Sequence, residues 1–120
     1  MDERRGIGAR GEELAARYLT RLGWSVLARN WRCRYGELDL ICRQPDGTVV
    51  VCEVKSRTGH GYGTPLEAIT HAKAQRLRQL TAAWVKEHDQ PVARLRIDAV
   101  GVLWHRDGTA SVTHERGIAR

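Results

Sequence analysis

Phenylalanine is absent from this chain, and cysteine is scarce. The three cysteines are an odd number without CxxC spacing, so the sequence predicts neither a zinc site nor a disulfide framework. No apolar run approaches the roughly 20 residues that a membrane-spanning helix needs. The first residues also lack the apolar segment of a secretory signal. We therefore expect a cytoplasmic protein with no membrane segment.

Lysine is scarce as well, because only three of the 20 basic residues are lysines and the rest are arginines. The formal net charge is nevertheless +6. Arginine forms planar, bidentate contacts with phosphate oxygens, so this composition favours a polyanionic partner. Genomic base composition is an alternative explanation for the excess of arginine over lysine. The absence of phenylalanine also indicates such a bias. Charge alone leaves both explanations open.

The length of 120 residues and a hydrophobic content of 42% predict one domain with its own core. We expect residues 1–10 to form a flexible arm and residues 115–120 a flexible tail. The apolar spacing predicts the order αβββαββ. The predicted helices cover residues 11–22 and 64–88, and the predicted strands cover residues 24–28, 37–43, 48–55, 94–104 and 110–113. This order suits a three-layer α/β domain with a mixed central β-sheet flanked by helices.

The predicted connections are polar. Residues 30–35 form an arginine-laden connection, and residues 56–63 form a flexible, glycine-rich loop. The second helix is predicted to begin at Thr64, with Pro65 in its first turn and Glu67 completing a capping box.

Charged side chains on two of the predicted strands are the most informative feature of the sequence. Asp39 lies on one strand of a hairpin, and Glu53 and Lys55 lie on the return strand. Side chains alternate along a strand, so Glu53 and Lys55 share a face, which Asp39 joins if the faces of the two strands coincide. Both strands are otherwise apolar, and buried charges are costly unless they are paired or bind a metal. An ion pair of Lys55 with either acid is the structural alternative to a catalytic site.

This set of residues matches the needs of phosphodiester hydrolysis. Two carboxylates can hold Mg²⁺, which prefers oxygen ligands. A lysine beside them can position or deprotonate a water molecule.

Several short motifs also occur in the order and spacing of a known family. They are Gly11-Glu12, Arg29-Asn30, Gly36-Glu37-Leu38-Asp39, Glu53-Val54-Lys55-Ser56-Arg57, Lys73 and Arg96-Ile97-Asp98. Together they resemble the YraN-type family of predicted bacterial endonucleases. This family is placed in the PD-(D/E)xK nuclease superfamily and is similar to archaeal Holliday-junction resolvases. The resemblance runs from about Gly8 to Val102 and implies a restriction-endonuclease-like fold. Gly36-Glu37 stands where a proline usually precedes the aspartate in the superfamily, as is normal for the YraN-like branch.

The resemblance implies roles for individual residues. Asp39 and Glu53 would bind Mg²⁺, for which Mn²⁺ can substitute, and the carbonyl of Val54 would complete the protein ligands. Lys55 would orient or activate the attacking water. Glu12 matches an upstream acid that can join the metal site through water. Its structural alternative is an acid favoured in the first turn of a helix.

Five basic residues are candidates for contact with nucleic acid. They are Arg29, Arg32, Arg34, Arg57 and Lys73. Lys73 would face the scissile phosphate according to the resemblance, and a solvated helix residue is the alternative. His60 is interpreted as an incidental loop residue, and Asp98 as a structural acid paired with an arginine. Trp31 is interpreted as a core or groove-wall residue, with base stacking as the alternative.

We predict a Mg²⁺-dependent DNA endonuclease that hydrolyses phosphodiester bonds in branched or structured DNA during repair or recombination. Specificity would come from DNA shape and phosphate geometry, and a homodimer would suit a junction with two cuts to make. The alternative is a non-catalytic nucleic-acid-binding protein with a nuclease fold, acting as a partner in repair, recombination or uptake. A third alternative is a small basic structural protein. The joint presence of Asp39, Glu53 and Lys55 favours the enzyme.

Overall fold

The structure is a computed structural model that describes residues 3–59, 66, 69–89 and 91–119. Within these ranges the elements follow the predicted order αβββαββ. They are α1 (Glu3–Arg21), β1 (Ser25–Cys33), β2 (Gly36–Arg43), β3 (Val49–Thr58), α2 (His71–Glu87), β4 (Leu95–Trp104) and β5 (Ala110–Glu115). None of the described helices is long and apolar enough to cross a membrane.

The strands form one sheet in the order β1-β2-β3-β4-β5. Strands β3 and β4 are parallel, and every other neighbouring pair is antiparallel. A parallel pair needs a crossover connection, and α2 provides it. The prediction of an α/β domain with a mixed central sheet is therefore confirmed.

The two helices cover opposite faces of the sheet, which makes three layers. On the α1 face, Leu19 packs in a cluster with Leu40 and Cys52. On the α2 face, Leu80 packs in a separate cluster with Val51. Because β2 and β3 contribute to both clusters, they are buried on both faces, as their apolar sequences predicted.

The N-terminal segment differs from the flexible arm that we predicted over residues 1–10. Helix α1 begins at Glu3, and the hydroxyl of Ser56 on β3 donates a hydrogen bond to the carbonyl of Ile7 at 3.1 Å. Gly11 approaches β3 so closely that a Cβ added there would lie 2.6 Å from the side chain of Ser56. Contact with the sheet thus supports a helix that its own glycine-rich sequence favours weakly.

The C-terminal segment also differs from the predicted flexible tail. Glu115 still belongs to β5, where it pairs with Ala99. Beyond it, the backbone N–H of Gly117 donates to Asp98 at 3.0 Å, and that of Ile118 donates to the Ile97 carbonyl at 2.8 Å. These bonds hold residues 115–118 along β4.

Two strands are longer than predicted. Strand β1 continues to Cys33, so most of the predicted connection at residues 30–35 is strand and pairs with β2. Strand β3 continues to Thr58, so residues 56–58 belong to the sheet rather than to a loop. Both extensions contain polar residues. These residues are compatible with strand structure because β1 is an edge strand and residues 56–58 lie near the end of β3.

Helix α2 begins later than the prediction. Its N-cap is Thr70, whose hydroxyl oxygen accepts the N–H of Lys73 at 3.2 Å, and Ile69 precedes the helix. The predicted capping residues Thr64, Pro65 and Glu67 lie outside the described residues.

Candidate functional site

Asp39 and Glu53 lie where β2 and β3 separate. Cα pairing between these strands runs from Arg43 opposite Val49 to Leu40 opposite Cys52, where it ends. At the next position, Oδ2 of Asp39 accepts the backbone N–H of Val54 at 2.8 Å. A side-chain carboxylate thus replaces a strand carbonyl as the acceptor. This bond fixes Asp39 between the two strands.

The alternation of side chains also breaks at this point. Leu40 packs on the α1 face, whereas Leu38, two residues earlier on the same strand, packs on the α2 face. On the paired strand β1, Asn30 has a left-handed φ of 50°. Asparagine adopts this conformation more readily than most residues. The backbone is therefore locally irregular where the acidic residues lie.

Three carboxylates meet at this irregularity. Oxygen atoms of Glu12 from α1 and of Glu37 and Asp39 from β2 all lie within 4.8 Å of one another. The amide of Asn30, oriented with its nitrogen toward the acids, donates to Glu37 at 2.9 Å and to Glu12 at 3.0 Å. Asn30 thus bridges the acid from the helix and the acid from the strand.

Glu53 adjoins these acids from β3 and carries a strongly shifted pKa. Burial, followed by the negative charge of Asp39, raises the pKa of Glu53 to about 7. Burial also raises the pKa of Asp39, against the lowering effect of the Val54 N–H. Burial and Asp39 raise the pKa of Glu12 in the same way. Like charges held close together disfavour joint ionisation, as these directions show.

Lys55 forms an ion pair within this site. Its Nζ lies 3.4 Å from Oε1 of Glu53, and the two side chains are 28% and 16% exposed. The structural alternative proposed for Lys55 is therefore present in the geometry. This ion pair is also compatible with a functional role of Lys55, since the pair lies beside Asp39.

We define the acidic cluster as Glu12, Glu37, Asp39 and Glu53. Glu37 of this cluster, and Asn30 beside it, were not predicted from the sequence as site residues. Glu37 carried a usable signal, because it lies two residues before Asp39 on the same strand. Asn30 was part of a family motif, but its bridging contacts depend on a φ that the sequence does not reveal.

The basic candidates occupy different positions. Arg29 pairs with Glu13 at 2.7 Å, and Arg32 pairs with Glu37 at 3.1 Å. The guanidinium of Arg34 lies over the ring of Tyr35, 4.8 Å from its centroid. Exposed ion pairs of this kind contribute little to stability, so these arginines can exchange partners.

Arg57 and Lys73 lie on two other elements, β3 and α2. Arg57 is half-buried on β3, opposite Leu103 of β4. Lys73 is exposed on the first turn of α2 and lines a cavity beside Glu53 and Lys55.

Two of the three remaining residues discussed from the sequence have described positions. Trp31 packs against the core cluster on the α2 face. Asp98 is fully buried and bonds to Arg96 at 2.7 Å and to His114 at 2.8 Å. Both placements agree with the structural interpretations. His60 lies outside the described residues.

Residues 11–102 match the family described as "Uncharacterised protein family UPF0102". The chain belongs to this family. It is 54% identical to a UPF0102 protein of Nocardia farcinica over 98% of this chain and 92% of that protein. It is 51% identical to a UPF0102 protein of Clavibacter michiganensis subsp. michiganensis over 93% of this chain and 94% of that protein. The predicted membership of the YraN-type family is thereby confirmed.

Among solved structures, the chain is similar to one described as "Structure of EndoMS-dsDNA2 complex". The TM-score is 0.40 and the sequence identity 16%. The alignment covers 70% of this chain and 33% of that chain.

Proposed function

We propose that this UPF0102 protein is a metal-dependent endonuclease that hydrolyses phosphodiester bonds in DNA. The observation that carries the proposal is the acidic cluster, which assembles four carboxylates from α1, β2 and β3 beside Lys55. The chain as a whole has a net charge of +6, so this concentration of negative charge is local. A basic protein attracts a polyanion, and a compact acidic site within it suits a bound cation.

The donor set fits Mg²⁺, with Mn²⁺ as a substitute. All candidate side-chain ligands are carboxylates, which hard cations prefer, and their mutual repulsion is what a cation would relieve. Asp39 and Glu53 would hold the metal together with the carbonyl of Val54, and Glu12 and Glu37 lie within reach of the same position. When bound, the metal would stabilise charge on the phosphate oxygens and lower the pKa of a water ligand.

The side chains of the protein would supply the remaining functions. Lys55, held beside Glu53, would orient the attacking water and help remove its proton. Lys73 and Arg57 would contact phosphates on either side of the scissile bond, where a positive charge offsets the phosphate charge. Branched or structured DNA is the substrate that we propose, recognised through shape rather than base sequence. A homodimer would present two such sites to a junction.

A cleavage assay tests the proposal directly. Labelled four-way junction, flap, duplex and single-stranded DNA, with a single-stranded RNA, are incubated with protein in Mg²⁺, Mn²⁺ or EDTA. We expect cleavage with either metal, none in EDTA, and a loss of more than about a hundredfold in Asp39→Asn. Asparagine keeps an oxygen that can accept the Val54 N–H, so this variant preserves the fold. Glu87→Gln is the matched control, since Glu87 is exposed at the end of α2 outside the acidic cluster.

The outcomes separate the two function classes. Undiminished cleavage by Asp39→Asn would overturn the assignment of the site. A band shift with no cleavage of any substrate would favour the non-catalytic nucleic-acid-binding protein. Metal binding is measured separately by calorimetric titration with Mn²⁺, which Glu53→Gln should weaken.

A further inference from the structure

A cavity of about 180 Å³ lies between the acidic cluster and helix α2. Glu37, Glu53 and Lys55 line one side of it, and Ile69 and residues of helix α2 line the other. The cavity is therefore continuous with the proposed catalytic site, and its occupant would lie directly beside the reacting groups.

The interior of this cavity is apolar. Leu77 and Leu80 are 5% and 3% exposed, and Ile69 is half-buried just before α2. Leu80 also packs closely against Gly36, because a Cβ added to Gly36 would lie 3.3 Å from the Leu80 side chain. An apolar surface of this kind favours a flat or apolar group over a phosphate.

The rim of the cavity is basic on its helix side. Lys73 and Arg76 are exposed and lie three residues apart on α2, so they share one face of the helix. Arg76 is positioned by a hydrogen bond of 2.9 Å from its guanidinium to the carbonyl of Tyr35 in the β1–β2 turn. A ligand that suits this arrangement has an apolar group inside and negative charge outside, on the side away from the acids.

We propose that the cavity receives the base of one unpaired nucleotide next to the scissile phosphate. A nucleobase provides the flat, largely apolar group, and the flanking phosphates provide the charge that Lys73 and Arg76 attract. A base in a regular duplex is held by its partner and its stacked neighbours, so an unpaired base enters at lower cost. The inference rests on the proposed function and deepens it, because it names the local DNA structure on which the site acts.

The test uses DNA duplexes that differ at a single position. One duplex carries one unpaired 2-aminopurine, a second carries an abasic residue there, and a third is fully paired. We expect the first to bind about tenfold more tightly than the other two, a difference consistent with burial of part of a ring surface. We also expect 2-aminopurine fluorescence to rise several-fold on binding, since the base leaves its stacked neighbours. Binding is measured in EDTA and in Mg²⁺, and cleavage is followed in parallel on gels.

Two variants alter the cavity at a half-buried position outside the helices. Ile69→Phe fills it, and Ile69→Asp places a negative charge in it. Both should remove the preference for the unpaired base and the rise in fluorescence. Leu95→Asp is the matched control, because Leu95 is exposed and pairs with Val49 at the other end of β3. Circular dichroism checks that each variant is folded.

The results distinguish this inference from the proposed function. Equal affinity for the base-containing and abasic duplexes would overturn the inference, even if both were cleaved. An unchanged preference in both folded Ile69 variants would also overturn it. Base-dependent binding without cleavage of any substrate would support the cavity assignment and count against the nuclease.

Discussion

Replacing Glu53 with glutamine should stabilise the metal-free protein at alkaline pH. The pKa of Glu53 in the fold is about 7, against an ordinary value of 4.5. Between these pH values the folded state binds more protons than the unfolded state, so the free energy of unfolding falls as pH rises. Above about pH 7 Glu53 is ionised in both states, so it lowers the free energy of unfolding no further. The difference of 2.5 pH units (7 − 4.5) corresponds to about 3 kcal/mol.

Glutamine is uncharged, like the protonated carboxyl, so the variant does not lose free energy of unfolding through ionisation at this position. We expect the free energy of unfolding of Glu53→Gln to exceed that of the wild type by about 3 kcal/mol at pH 8 in EDTA, and to equal it near pH 4. At pH 8 the melting temperature should rise by roughly 10 °C for a chain of this size. Urea unfolding followed by tryptophan fluorescence measures the free energy, and thermal unfolding followed by circular dichroism measures the melting temperature.

The control variant is Glu87→Gln, which removes one exposed acid at the end of α2. It should change stability by less than about 0.5 kcal/mol at either pH. Equal stability of wild type and Glu53→Gln at pH 8 would refute the reasoning, as would a gain that is the same at pH 4 and pH 8. With saturating Mg²⁺ we expect the advantage of the variant to shrink or reverse, because binding stabilises the folded state by mass action.

Three further predictions concern other positions. Asn30→Ala removes the amide that bridges two acids, and calorimetric titration should show Mn²⁺ affinity weakened by about tenfold or more; unchanged affinity would contradict the bridging role. Asp98→Ala removes the only carboxylate that pairs with the partly buried guanidinium of Arg96 among the described residues and should cost about 3 kcal/mol in urea unfolding, with Mn²⁺ binding retained; a loss below about 1 kcal/mol would contradict the structural role. Gly11→Ala forces a Cβ against Ser56 and should lower the free energy of unfolding by about 1–3 kcal/mol, whereas Gly8→Ala, at an open position, should not destabilise the protein.

The central hairpin could be predicted because its sequence gives consistent local signals. Two apolar runs flank a turn at residues 45–47, and the charges at Asp39, Glu53 and Lys55 stand out within them. Burial on both faces made those charges unusual before any contact was known. The structure brings all three together, so the pattern was sufficient to locate Asp39 and Glu53 of the acidic cluster and Lys55 beside them.

The backbone geometry around the cluster is not revealed by any periodicity. Neither the left-handed φ of Asn30 nor the change of face between Leu38 and Leu40 could be predicted from the sequence. The same irregularity explains why the second half of β1 was predicted as a connection. Its polar residues suit an edge strand as well as a loop, and only pairing with β2 distinguishes the two.

The predicted helix boundaries were wrong for a related reason. Thr64 and Thr70 both have the side chain of an N-cap, and only the hydrogen bond to Lys73 identifies Thr70 as the cap of α2. At the other end of the chain, residues 1–10 have too many glycines to predict a helix from propensity alone. The helical structure of residues 3–10 reflects contact with β3, which is distant in sequence.

The hydrogen bond from Val54 to Asp39 also gives the site an internal spectroscopic reporter. A backbone N–H in a sheet usually bonds to a carbonyl, which does not ionise, whereas this one bonds directly to a carboxylate at 2.8 Å. Its amide resonance in a nitrogen–proton spectrum should therefore move whenever Asp39 changes charge or acquires a ligand. One peak, assigned once, would follow proton, cation and DNA binding at the centre of the sheet without any label that perturbs it.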